Sequence, residues 1–363
     1  MNRLTAIGLA SLVAYGLLIT TKYTGVVSAA READAPKSSA VGDDDAMRAL
    51  VMGVRSEPVQ APVSFSPPVQ RAERMRASPA SVDFRAARDL KAFADALYSR
   101  SATLTGDERY HLAKALEECQ FTTTINEDIA AYSAKQRKQF MAGLTAGDIN
   151  NTKRVAAYDA ADNTQRCLRF QGTKISQKEI EDLYAAAAHQ GDARAQARML
   201  VAELNAKMNQ SSRATEQSTN TSTRPMAVDD FSRMIGLLET RDPEAMMIVG
   251  GFLAQSSVAS QLHIGPNGEV PEASAFLGAF SLVACDMTSD CVTVNREPQL
   301  ACAFSGYCDA QTFEELYQNF LASPWAYARA SQYRNIIHTA INTQNWGLIG
   351  LQPKRTAANP QPQ

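Results

Sequence analysis

Six cysteines are the residues most able to do chemistry, and four of them are clustered. Cys285-x5-Cys291-x10-Cys302-x5-Cys308 occupies the C-terminal third, while Cys119 and Cys167 stand alone further up. Four thiolates could close a tetrahedron around zinc, but the short Cys-x2-Cys knuckles of such sites are missing. A redox role calls for Cys-x-x-Cys, also missing. An even count in an exported chain is read as disulfides. Cys119 and Cys167 are expected to bond to each other. In the cluster, 285–302 with 291–308 is the favoured pairing, because Cys285 and Cys302 both fall near expected helix ends.

The other reactive types are sparse. His111, His189, His263 and His338 have no metal-ligand spacing to one another, and read as cap or surface residues. His189 closes its helix, where partial positive charge suits the dipole. Gly143-Leu144-Thr145-Ala146-Gly147 only mimics a nucleophile elbow, since it carries Thr and lies between helices. Glycan hydrolysis needs an acid in apolar surroundings. Glu117-Glu118 and Glu314-Glu315 are the acidic pairs on offer, and nothing in their setting singles them out. No catalytic residue, metal ligand or cofactor is therefore assigned.

The elements that hold these residues read as helices. In Ile180–Leu204, Ile180, Leu183, Tyr184, Ala187 and Ala188 fall on one face. Gly191 can then take positive φ, Asp192 caps the next helix, and Ala193, Ala197, Leu200 and Leu204 continue an apolar face. A second hairpin follows the same plan. Phe231, Met234, Ile235 and Leu238 line one helix, and Asp242-Pro243 starts the next, with Asp as cap and Pro at the first helical position. The turns align as x-Asp-x-x-Ala-x, a weak internal repeat. Leu112, Ala115, Leu116 and Cys119 share a face, and so do Phe313, Leu316, Tyr317 and Phe320. Ser323-Pro324 begins a last helix with Tyr333, Ile336, Ile337 and Ala340 inward. A helix is also expected to start at Gly147-Asp148 and run through Val155, Tyr158 and Ala161 to Cys167.

Leu183-Tyr184, Ala187-Ala188, Gly191-Asp192 and Ala195-Gln196 resemble the pattern of Sel1-like and tetratricopeptide-like helical-hairpin repeats. The resemblance covers one repeat well and a second loosely. It implies a curved array that binds proteins. The irregular spacing, a long polar insertion and the cysteines depart from that family's pattern. The expected fold is all-α: antiparallel helical hairpins stacked in an irregular repeat-like array, stapled by disulfides.

Within 363 residues the organisation reads as follows. Residues 1–24 are a signal peptide or membrane anchor, with eighteen uncharged residues from Leu4 to Thr21 between Arg3 and Lys22. Residues 25–80 form a Pro-rich linker too poor in large apolar side chains to build a core. An N-terminal helical domain spans 81–208, a polar flexible loop 209–226, a C-terminal helical domain with the cysteine cluster 227–351, and a tail 352–363. The net charge of −2 argues against a nucleic-acid-binding surface. The expected place is the bacterial periplasm, free or held to the inner membrane by an uncleaved N-terminus. The expected role is a protein–protein interaction module whose partner is another envelope protein. The runner-up is a cell-wall glycan hydrolase using an acidic residue.

Overall fold

The computed structural model describes residues 77–125, 127–216, 226–288, 291 and 296–351, all within one compact unit, Gln70–Gln363. Side chains at 210–216 are not described. The expected signal or anchor, most of the linker and the tail lie outside the described residues.

Among these residues the fold is all-α, with one isolated bridge between Ile264 and Glu269. The helices are α1 (Pro79–Ala86), α2 (Leu90–Tyr98), α3 (Gly106–Cys119), α4 (Ile129–Ala142), α5 (Asn151–Ala161), α6 (Thr164–Cys167), α7 (Gln177–His189) and α8 (Ala193–Glu216). There follow α9 (Val228–Glu239), α10 (Pro243–Leu253), α11 (Ser256–Ala259), α12 (Ala273–Asp286), α13 (Arg296–Leu300), α14 (Phe313–Leu316) and α15 (Pro324–Thr343). None of them is long and apolar enough to cross a membrane.

Packing runs as a ladder. α2 meets α3, α3 meets α7, and α7 pairs with α8; α8 then packs on α10, α10 on α12, and α12 on α15. Two cores result. One gathers Leu90, Leu112, Leu116, Phe170, Ile180 and Tyr184. The other gathers Met234, Leu238, Phe252, Phe276, Phe280 and Tyr333. They meet along α8, which gives Ala195 to the first core and Ala197, Leu200 and Leu204 to the second. In the second core the helices approach closely. A Cβ on Gly250 would sit 2.3 Å from the Phe280 ring, and one on Gly278 2.2 Å from that of Tyr317.

The two repeat turns share a conformation as well as a pattern. Gly191 has φ +87° and Arg241, in the same place, has φ 57°. Each is followed by a capping aspartate: Ala195 N donates to Asp192 Oδ1 at 3.0 Å, and Ala245 N to Asp242 Oδ1 at 2.8 Å. Pro243 occupies the first turn of α10, where its missing amide costs nothing.

Several expectations need correction. α8 runs through Asn209 to Glu216, into the stretch read as loop. Polar Gln, Arg and Glu are adequate helix formers, so a helix can run on without an apolar sequence pattern. The helix expected from Gly147 to Cys167 breaks. Gly147 sits in a turn at φ +82°, α5 starts at Asn151, and Asp162 ends it by accepting from Thr164 N at 2.8 Å. Cys119 does bond Cys167, closing a 48-residue separation. In the chain-entropy account a loop of that length contributes about 4 kcal/mol. The other pairs are Cys285–Cys291 and Cys302–Cys308, not 285–302 and 291–308. The second of these is made by a local reversal: π-helical Ala301–Ser305 ends at Gly306, whose φ of +79° folds Cys308 back to Cys302. In the first, Cys291 itself takes positive φ, 49°. Three disulfides suggest an oxidising, extracytoplasmic location.

Candidate functional site

The structure forms a polar cleft of ≈ 950 Å³ where the two cores meet. Its long wall is one face of α3. Asp107, His111, Lys114 and Glu118 follow at intervals of four, three and four residues, the repeat of a single helical stripe, and all four line the cleft. The opposite face of α3 buries Leu112, Ala115, Leu116 and Cys119. A capping box fixes the start of the helix, with Glu108 N donating to Thr105 Oγ1 and Thr105 N donating to Glu108 Oε2. Gly106 lets this end approach the α7–α8 turn, where a Cβ would lie 3.2 Å from the Ala187 carbonyl.

Asp107 is the hub of the inner end. Its Oδ1 accepts from Ser78 Oγ at 2.8 Å and from Arg194 Nη2 at 2.6 Å. His111 Nδ1 lies 2.9 Å from the Asp107 carbonyl and 3.2 Å from its carboxylate. Burial alone would raise the Asp107 pKa, but hydrogen bonds from His111, Arg194 and Ser78 outweigh it and hold the carboxyl well below the usual range. With two oxygens as neighbours, His111 Nδ1 must carry the proton. The ring is buried and lines the cleft. Arg194 is buried, stacks over Tyr110 at 4.4 Å, and also donates to Asp192 at 2.5 Å.

The second core contributes Glu244 from the first turn of α10. It accepts from Tyr110 Oη at 2.7 Å and from Lys114 Nζ at 2.6 Å. Burial opposes its ionisation, yet the charge and hydrogen bond of Lys114 and the Tyr110 hydroxyl bring its pKa down to about 2. Asp242 beside it is pushed up by burial, partly offset by its bond from Ala245 N.

The outer end is held by Arg166, which donates to the carbonyls of Ala87 at 2.9 Å and Phe84 at 2.5 Å and to Glu118 at 3.2 Å. Asn163 donates to Glu118 and accepts from Arg296, which also reaches the Ala161 carbonyl. These bonds tie α1, α3, α5 and α13 together around the cleft. A bridge outside it reinforces them, with Arg154 donating to the Ala303 carbonyl at 3.0 Å and Lys153 pairing with Asp309 at 2.9 Å.

Against the sequence-derived sites, the cleft collects one repeat-turn pair, Asp242 and Pro243, in its wall. Asp192 touches it through Arg194, and Gly191 makes the turn behind. The cysteines act as staples around it. Two histidines depart from the expected cap or surface setting: His111 and His338 are buried, while His189 and His263 are exposed. Burial follows from partners the sequence does not reveal, since each ring meets an aspartate. The acidic pairs are committed. Glu117 accepts from Tyr184 and pairs with Arg198, Glu314 pairs with Arg334, and Glu315 completes a capping box with Thr312. Glu297, which the sequence reading does not single out, is the carboxyl whose pKa burial alone raises; it does not line the cleft. The Asp107, His111, Lys114, Glu118 stripe was also missed, although its spacing is legible.

No protein-family model matches the chain, and comparison with curated proteins and with solved structures returns no match.

Proposed function

We propose that this chain is a helical-hairpin interaction protein of the bacterial cell envelope, working in the periplasm and binding another envelope protein. The observation that carries the reading is the ladder α3, α7, α8, α10, α12, with a cleft open where its two cores meet. Stacked hairpins present rigid side chains from several helices to one partner, as in Sel1-like and tetratricopeptide-like arrays. The matching conformations of the Gly191-Asp192 and Arg241-Asp242 turns support that likeness. The disulfides fit an oxidising compartment, and the Arg3-to-Lys22 segment of the sequence fits export or anchoring.

The test is cross-linking in cells of a C-terminally tagged full-length chain, followed by mass spectrometry. An envelope protein should be captured, and charge reversal at exposed Glu181 and Asp182 on α7 together with Met199→Lys on α8, or charge reversal at the cleft, should abolish its capture. Capture of nothing above background, or capture that none of these changes alters, would overturn the reading.

A further inference from the structure

We infer that the cleft is a binding site for an acidic peptide segment, an inference that rests on the interaction-protein reading and names the partner's chemistry. The charges lining the cleft nearly cancel: six cations, Arg85, Arg88, Lys114, Arg166, Arg194 and Arg296, face five carboxylates. What differs is how far each sign is already engaged.

Every carboxylate in the lining already accepts from the protein. Asp107 takes donors from Ser78 and Arg194, and Glu244 from Tyr110 and Lys114. Glu118 takes them from Asn163 and Arg166, Asp162 from Ser133 and the Thr164 amide, and Asp242 from the Ala245 amide. Among the cations, Arg194 and Arg166 are spent in the same way. Others are not. Arg88, exposed in the α1–α2 connection, makes no hydrogen bond or ion pair among the described residues. Lys114 uses one of its three N–H groups on Glu244. Arg296 is 45% exposed; its Nη2 donates to Asn163 and the Ala161 carbonyl and its Nη1 faces Glu118 at 3.8 Å, so it is partly engaged. Gln165 and Gln299, both exposed in the lining, add amide groups that both donate and accept.

The charge left without a partner is therefore cationic, and the fitting ligand is negatively charged and rich in acceptors. The free donors sit on separate walls: the α1–α2 connection, α3, the α6 turn and α13. At ≈ 950 Å³ the space is far larger than one phosphate or carboxylate needs. Phe84, Ala87, Ala160 and Pro243 put apolar surface between the charges. An extended chain with carboxylate side chains, main-chain carbonyls and intervening carbon meets all three conditions.

The test uses the intact purified chain with its disulfides, labelled with 15N-histidine, and titrates in an acetylated and amidated hexaglutamate peptide. Hexaglutamine and inorganic phosphate serve as the competing arms. Hexaglutamate should shift the His111 imidazole resonance and leave His338 unmoved. Arg88→Glu should weaken binding at least tenfold and Gln299→Glu severalfold, while Lys178→Glu, on the far surface of α7, should leave it unchanged. Hexaglutamine and phosphate should leave His111 in place. No His111 shift with hexaglutamate, an equal shift with hexaglutamine, displacement of the peptide by millimolar phosphate, or equal weakening by Lys178→Glu would each overturn the inference. A partner captured in cells alongside a failed hexaglutamate titration sinks the inference alone. Binding of the peptide with no partner in cells sinks the envelope-partner reading alone.

Discussion

His111 and His338 occupy equivalent chemical settings in the two cores, and they have different freedom. Each is buried and each ring meets an aspartate, Asp107 at 3.2 Å and Asp286 at 2.7 Å. His338 belongs to a closed strut. Asp286, at the end of α12, takes Arg334 Nε at 2.7 Å and Nη2 at 2.5 Å, and Arg334 reaches on to Glu314 at 2.9 Å. The other nitrogen of His338, Nδ1, is buried with no partner. His111 instead shares its aspartate with Ser78 and Arg194, and it lines the cleft. An Asp–His pair thus says little about function by itself. Whether the pair lines a cleft separates a strut from a site.

The largest effect expected from that contrast is on stability. Asp286→Ala leaves Arg334 and His338 without their shared carboxylate in a largely buried place, and should cost about 3–5 kcal/mol in denaturant unfolding with disulfides intact. Asp107→Ala removes a carboxylate whose arginine keeps Asp192, so roughly 1–2 kcal/mol is expected. Equal costs would erase the distinction.

Acid should draw on both aspartates, since Asp107 is also held well below the usual carboxylate range by His111, Arg194 and Ser78. Burial opposes ionisation of Asp286, but His338 and Arg334 outweigh it and bring its pKa to about 2. The folded value lies below the unfolded one. The carboxylate therefore contributes its full stability above about pH 4, and that contribution, roughly 2 kcal/mol, is lost as pH falls toward 2. Glu244, brought to about 2 by Lys114 and Tyr110 against its burial, adds a loss in the same window. Urea midpoints measured from pH 7 to pH 2 should hold level and then drop, with a shallower drop in Asp286→Asn. A drop complete above pH 5 would contradict this assignment.

The smallest effect concerns the paired turns. Arg241 holds the left-handed conformation that Gly191 supplies at its counterpart. Arg241→Gly should raise stability by up to about 1 kcal/mol, the relieved strain being partly offset by a looser unfolded chain. Loss of stability would mean that the Arg241 side chain does more than tolerate the turn.

The sequence made legible whatever depends on local spacing and caps. Asp242-Pro243 and Ser323-Pro324 announce their helices, and the apolar faces of α3, α7 and α10 follow the helical period. Cys119 and Cys167 could be paired because they stand apart from the four clustered cysteines, and Cys119 shares the apolar face of α3. The pairing of Cys302 with Cys308 could not, because it depends on a reversal at Gly306 that no periodicity records. The end of α8 has no apolar period in its sequence, so the pattern does not announce it. At the cleft, Asp107, His111, Lys114 and Glu118 have visible spacing, but a polar stripe normally faces open solvent. Only the fold brings Glu244 from 130 residues away to Lys114, and Arg166 to Glu118, closing that stripe into a site.

The most direct test of the central claim places a photo-reactive amino acid in living cells at Gln165 or Gln299 in the cleft, or at exposed Thr339 beside the sealed His338. The account predicts capture of one and the same partner from both cleft positions and none from Thr339. Capture from Thr339 as strong as from the cleft, or from none of the three, would contradict it.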